Sequence, residues 1–162
     1  MVSITVNGRQ LQAQSAPDTP LLYVLRNELD VTSPQFGCGL AQCGACSVLL
    51  DGKEVRSCVT PLSMAAGKEV TTVEGLPARW AKQKNLPAGE NLLHPVQTAW
   101  IEEQVNQCGY CINGWILTAV ELLEHTPKPT DAQIKDALNG LICRCGTHEA
   151  VLRAVKRAAE MA

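Results

Sequence analysis

Eight cysteines fall in two sets of four along a chain of 162 residues. The first set is Cys38, Cys43, Cys46 and Cys58; the second is Cys108, Cys111, Cys143 and Cys145. Cys38, Cys43 and Cys46 read C-x4-C-x2-C with a later cysteine to follow, the ligand spacing of a plant-type [2Fe–2S] cluster. The second set also counts to four, enough for one more cluster. Thiolate is a soft ligand that suits zinc and iron–sulfur centres alike, so zinc is the structural alternative for both sets. The uneven first spacing, in a glycine-rich loop, fits iron better. Disulfides fit less well, because Cys143 and Cys145 are too close for ordinary staples and the N-terminus reads as a strand, not a signal peptide.

Small elements must position these sulfurs. Val2, Ile4 and Val6 alternate with polar residues, Asn7-Gly8 is a hairpin turn, and Arg9 to Ala13 return. Asp18-Thr-Pro20 opens a helix, with Thr19 as its cap, Pro20 in its first turn and Leu21, Leu22, Leu25 and Leu29 on its core face. The loop from Val31 to Cys46 carries Gly37, Gly39 and Gly44, whose conformational freedom lets backbone N–H groups turn toward sulfur. A dinucleotide fingerprint is not complete there, since position 42 is Gln. Ser47 to Leu50, the turn Asp51-Gly52 and Lys53 to Val55 form a second hairpin that delivers Cys58 back to the loop. A short helix from Thr60-Pro61 to near Gly67 and a strand from Lys68 to Val73 complete an α+β unit over residues 1–76 that suits a β-grasp ferredoxin domain.

Residues 77–93, with Pro77, Pro87, Gly89 and little periodicity, read as a surface linker whose Trp80 and Leu86 pack either within the chain or on a partner. Residues 94–162 are helical in pattern. Val96, Ala99, Trp100 and Val105 suit one helix, and Ile116, Leu117, Val120 and Leu123 line a second over Ile112 to His125. Thr130-Asp131 caps a third, and Thr147 begins a fourth with Val151, Leu152 and Val155 inside, together a four-helix bundle. Cys111 and Cys145 then precede helix starts, whose dipoles favour the negative charge of thiolate-ligated iron.

Composition narrows the function. A formal charge of −2 and 4% aromatic residues argue against nucleic acid, and no run reaches the roughly 18 apolar residues of a membrane span. A soluble, cytoplasmic protein follows, unless it is exported bound to a signal-bearing partner. His94, His125 and His148 are scattered and suit capping or surface roles. Arg153, Lys156 and Arg157 read as a solvated face; Arg144, between two ligands, either offsets charge, reaches a partner or makes a salt bridge within the chain. No catalytic dyad has a recognisable context. By itself the chain transfers electrons, either inside a larger enzyme or as a freestanding two-cluster ferredoxin.

Three ordered motifs carry a resemblance over nearly the whole chain: Gly37-Cys-Gly-x-x-x-Cys-Gly-Ala-Cys46, Gln107-Cys-Gly-Tyr-Cys111 and Cys143-Arg-Cys-Gly146, with Val73-Glu-Gly-Leu76 and His94-Pro95-Val-Gln97 between. The chain resembles the small iron–sulfur subunit of the molybdenum hydroxylases, the xanthine oxidase family, and looks most like its nicotinate dehydrogenase and isoquinoline oxidoreductase members. The resemblance implies an outer cluster on Cys38, Cys43, Cys46 and Cys58 and an inner one on Cys108, Cys111, Cys143 and Cys145. It implies a large partner subunit holding molybdopterin in its cytosine dinucleotide form, with Gln107 bonded to the pterin and the Cys145 sulfur touching the pterin amino group. Water supplies the oxygen to an N-heteroaromatic or aldehyde substrate, a hydride equivalent goes to molybdenum, and electrons leave singly to a flavin subunit or a cytochrome. Two departures stand out. Ala41 occupies a position where many relatives have Gly, and Ile112-Asn113 replaces a Thr-Pro pair that would favour a first helical turn.

Overall fold

A computed structural model describes residues 1–87, 89 and 92–161. Strands β1 (Val2–Val6) and β2 (Arg9–Ala13) form the expected first hairpin, and β3 (Ser47–Leu50) and β4 (Lys53–Arg56) the second. Both turns are left-handed pairs, Asn7-Gly8 at φ 51° and 78° and Asp51-Gly52 at φ 50° and 86°. That geometry matches the right-handed twist of the strands it joins. With β5 (Glu69–Thr71) they make one sheet in the order β2-β1-β5-β3-β4. β1 and β5 run parallel and the other pairs antiparallel.

Helix α1 (Leu21–Asn27) covers this sheet through Leu21, Val24 and Leu25. It starts later than its sequence suggests. Pro20 bridges to Pro61, and no side chain caps the helix, so Thr19 does not play that part. The Thr19 carbonyl instead accepts from Leu62 N–H at 2.8 Å, at the head of a 3-10 turn over Leu62–Ala65.

β3 is buried along its whole length, on both faces. Val48 and Leu50 enter the core of the sheet and α1, while Leu49 enters a second core built on helices. Strand alternation therefore assigns adjacent residues to two cores.

The first part of the expected linker is helical: α2 spans Leu76–Lys84, and Asn85 ends it in the left-handed conformation. Residues 88, 90 and 91 of that stretch lie outside the described residues. The helix escapes the pattern because only Leu76 and Ala81 are buried on it. Polar contacts hold the rest: a two-pronged Arg79–Glu124 pair at 2.8–3.2 Å, and Trp80 edge-on to His94 at 5.0 Å.

Four helices follow, as expected: α3 (Pro95–Glu102), α4 (Ile112–His125), α5 (Asp131–Ala137) and α6 (His148–Met161). His94 caps α3 reciprocally with Gln97: its Nδ1 accepts from Val96 N–H at 3.1 Å, and Gln97 Oε1 accepts from His94 N–H at 3.0 Å. Thr130 and Gln133 cap α5 in the same way. Val105, read as helical, lies beyond the end of α3 but stays buried, its N–H bonded to Trp100 O at 3.1 Å. Arg153 and Arg157 of α6 pair with Glu103 and Glu102, and Lys156 pairs with Asp131, on an exposed face. Among the described residues, no helix is long and apolar enough to cross a membrane.

Candidate metal centres

The loop after α1 turns its backbone on the first cysteines. Cys38 Sγ accepts from the N–H groups of Leu40 at 3.3 Å, Gln42 at 3.2 Å and Cys43 at 3.4 Å, and Cys43 Sγ accepts from Cys38 N–H at 3.4 Å. The Leu40 N–H leads these donors in bringing the Cys38 thiol down to about 7. Ala41 takes a left-handed φ of 59° to make the turn. Gly37 leaves room for sulfur, since a Cβ there would stand 2.5 Å from Cys43 Sγ.

The second hairpin brings Cys58 to this loop, where the Ser57 hydroxyl donates to Cys46 O at 2.6 Å. Leu22 of α1 packs on Cys46 and Cys58, closing them from water. Burial pushes the Cys46 thiol up to about 12, and the Cys58 and Cys43 thiols beside it act in the same direction. The four sulfurs thus fall in two neighbouring pairs, Cys38 with Cys43 and Cys46 with Cys58.

The second set gathers at one end of the helices. Cys111 is the residue on which α4 begins, and Cys143 and Cys145 precede α6. Cys111 contacts Cys143, and the exposed Cys108 contacts Cys145. Thr147, read as a helix start, has another use: its hydroxyl donates to Cys143 Sγ at 3.2 Å. Desolvation opposes ionisation of Cys143, but the Thr147 hydroxyl and N–H, with the Cys111 thiol and the Cys145 N–H, together outweigh it and bring the thiol down to about 7. Burial pushes Cys111 up to about 12, and the Trp115 indole N–H works against that rise.

Direct contacts join the two sets. Ile142 N–H donates to Cys43 O at 3.0 Å, so the residue next to Cys143 bonds the backbone of Cys43. Tyr110 OH donates to Phe36 O at 2.5 Å. Asn113 Nδ2 donates to Ala45 O at 3.2 Å and Ser47 O at 2.7 Å. This explains Asn at a position where Pro would serve the helix start alone, and α4 still begins at Ile112. Gln107 is exposed immediately before Cys108, and Arg144 is exposed and joins none of the ion pairs among the described residues.

The contacts that Thr147, Trp115, Leu22 and Asn113 make at the cysteine sets are not legible in the motifs. One of them had a readable signal: Trp115 follows Cys111 by four residues, the spacing of neighbours on a helix.

Among the described residues, no three or more His, Cys, Asp or Glu side chains stand ready as a single-ion site. Four thiols in two neighbouring pairs could serve a two-iron centre, two thiolates to each iron. Backbone and side-chain donors aimed at sulfur suit its negative charge, so the residues present fit such a group at both places.

Comparison with known proteins agrees. Residues 4–73 match the family model of the 2Fe-2S iron-sulfur cluster binding domain, and residues 72–156 that of the [2Fe-2S] binding domain. The chain is 51% identical to a nicotinate dehydrogenase subunit of Pseudomonas putida, over 98% of this chain and 94% of that protein. It is 46% identical to the alpha subunit of isoquinoline 1-oxidoreductase from Brevundimonas diminuta, over 100% and 99%. Among solved structures it superposes on quinoline 2-oxidoreductase from Pseudomonas putida 86 with a TM-score of 0.86 and 31% identity, covering 98% of this chain and 93% of that one. The aldehyde oxidoreductase of Desulfovibrio gigas matches with a TM-score of 0.86 and 36% identity, over 99% of this chain and 17% of that one.

Proposed function

The chain belongs to the small iron–sulfur subunits of the molybdenum hydroxylases, the xanthine oxidase family, and on that premise we propose how it serves such an enzyme. It passes electrons singly from the molybdopterin site of a large partner subunit, through two [2Fe–2S] clusters, to a flavin subunit or a cytochrome. Cys38, Cys43, Cys46 and Cys58 ligate the outer cluster; Cys108, Cys111, Cys143 and Cys145 ligate the inner one. Each cluster, when bound, takes up and releases one electron. The chain's own groups do the rest. Backbone N–H groups of Leu40, Gln42 and Cys43 offset charge on Cys38, and Leu22 keeps water from Cys46 and Cys58.

Exposed Gln107 hydrogen-bonds the partner's pterin, in its cytosine dinucleotide form, and the Cys145 sulfur touches the pterin amino group. Domain limits of 1–76 and 94–162, joined by 77–93, describe the two cluster-bearing halves. The substrate, a nicotinate-like N-heteroaromatic or an aldehyde, is hydroxylated in the partner. A cytoplasmic setting would keep the eight free thiols reduced for cluster assembly.

The observation that carries this reading is the Ile142 N–H to Cys43 O bond of 3.0 Å, which ties the two cysteine sets backbone to backbone. Exposed Tyr110 and Ile142 beside the second set supply apolar surface for the partner. The test is low-temperature EPR of the dithionite-reduced complex, with iron, zinc and molybdenum counted on the same sample. Two [2Fe–2S] signals, about four irons per chain and molybdenum at parity are expected. Zinc without iron would overturn the cluster reading, and two signals without molybdenum or a large partner would point to a freestanding ferredoxin.

A further inference from the structure

The two cysteine sets differ in what donates to their sulfurs. At the first set the donors to Cys38 and Cys43 are backbone N–H groups, which no substitution removes short of proline. At the second set side chains take part. The Thr147 hydroxyl donates to Cys143 Sγ at 3.2 Å, and Thr147 is buried. The Trp115 indole is 4% exposed, and its N–H makes no hydrogen bond of ordinary geometry with the chain. It sits one helical turn after Cys111 on α4, within reach of that sulfur. A buried indole N–H without an acceptor is costly, and a ligating Cys111 thiolate is the acceptor within its reach.

We propose that Thr147 and Trp115 are positioning residues that set the reduction potential of the second centre independently of the first. This rests on the reading that the second cysteine set holds a cluster. A hydrogen bond to a ligand sulfur stabilises added negative charge, so it favours the reduced state and raises the potential. Side-chain donors confined to one centre allow its potential to be adjusted without disturbing the other.

The test is an EPR-monitored redox titration of the purified complex with Thr147→Val, Thr147→Ser and Trp115→Phe. The signal of the second set is identified as the one lost in Cys108→Ala. In Thr147→Val and in Trp115→Phe that signal should become harder to reduce by about tenfold, about 59 mV for a one-electron couple. The other signal should not move, and Thr147→Ser should restore the wild-type potential. Wild-type titration in both Thr147→Val and Trp115→Phe, with both signals present, would overturn the inference. A joint shift of both signals would also overturn it, since that marks a general structural disturbance. A wild-type complex with only one iron signal would instead remove the second cluster itself, and the inference with it.

Discussion

Gly114 of α4 lies so close to Gly44 of the first cysteine loop that a Cβ on it would stand 2.2 Å from the Gly44 carbonyl oxygen. The obstacle is backbone, which cannot swing aside as a side chain would. A mirror-image restriction holds at Gly44, at φ 78°, where a Cβ would meet Leu141 Cδ2 at 2.0 Å. Gly114→Ala should therefore destabilise the protein by about 3 kcal/mol, the upper end for overpacking. Urea denaturation of the purified complex would show this as a lower midpoint.

Asn113 makes its own bridge across the same contact. Asn113→Ala leaves the carbonyls of Ala45 and Ser47 without their side-chain donor in a buried place. The expected cost is about 1 kcal/mol, since Ala45 O keeps its bond from Gln35 N–H at 2.9 Å and Asn113 Oδ1 is itself buried without a partner. Thermal unfolding checks it, and the iron content of the folded variant should remain intact, since no cysteine is touched.

Ala41 carries strain that glycine would relieve. Its φ of 59° is a conformation that costs an L-residue about 1 kcal/mol. Ala41→Gly should raise stability by about that amount, less the greater flexibility of the unfolded glycine chain. The measurement is the denaturation midpoint, with the first-centre EPR signal as a check that the loop keeps its form.

His94 makes the fold acid-sensitive. Burial holds its pKa down to about 4 from an ordinary 6.5, with Arg79 and Lys84 adding to the effect and Glu124 opposing it. Trp80 covers its ring, and Nδ1 accepts from Val96 N–H, so the neutral form is the one that caps α3. Between those two values the unfolded chain binds the proton and the folded chain does not. Stability from this group is thus complete above about 6.5 and falls as pH drops toward about 4, by on the order of 3 kcal/mol. His94→Asn keeps a capping side chain without the titration, and should flatten that part of the stability–pH curve.

Much of this was legible because it was local. The hairpins rest on Asn7-Gly8 and Asp51-Gly52, whose conformations depend on two residues each. The cysteine spacings and the helical apolar stripes of α4 and α6 are equally short-range. What escaped reading depends on partners distant in sequence. Helix α2 is held by Glu124 and His94 rather than by an apolar face of its own. Leu22 looked like any core leucine of α1, yet packs on Cys46 and Cys58. Thr147 had the residue type of a helix cap, and only the folded loop turns its hydroxyl to sulfur.

The doubly buried strand β3 bears on speed. Electron tunnelling weakens steeply with distance, so a carrier with two stations works steadily only if their separation does not fluctuate. Here the stations are not two beads on a tether. Leu49 is anchored among the helices while Val48 and Leu50 are anchored under the sheet. A hinge motion that drew the stations apart would have to tear one strand out of a core. The gap between them is set by the stiffness of packed side chains.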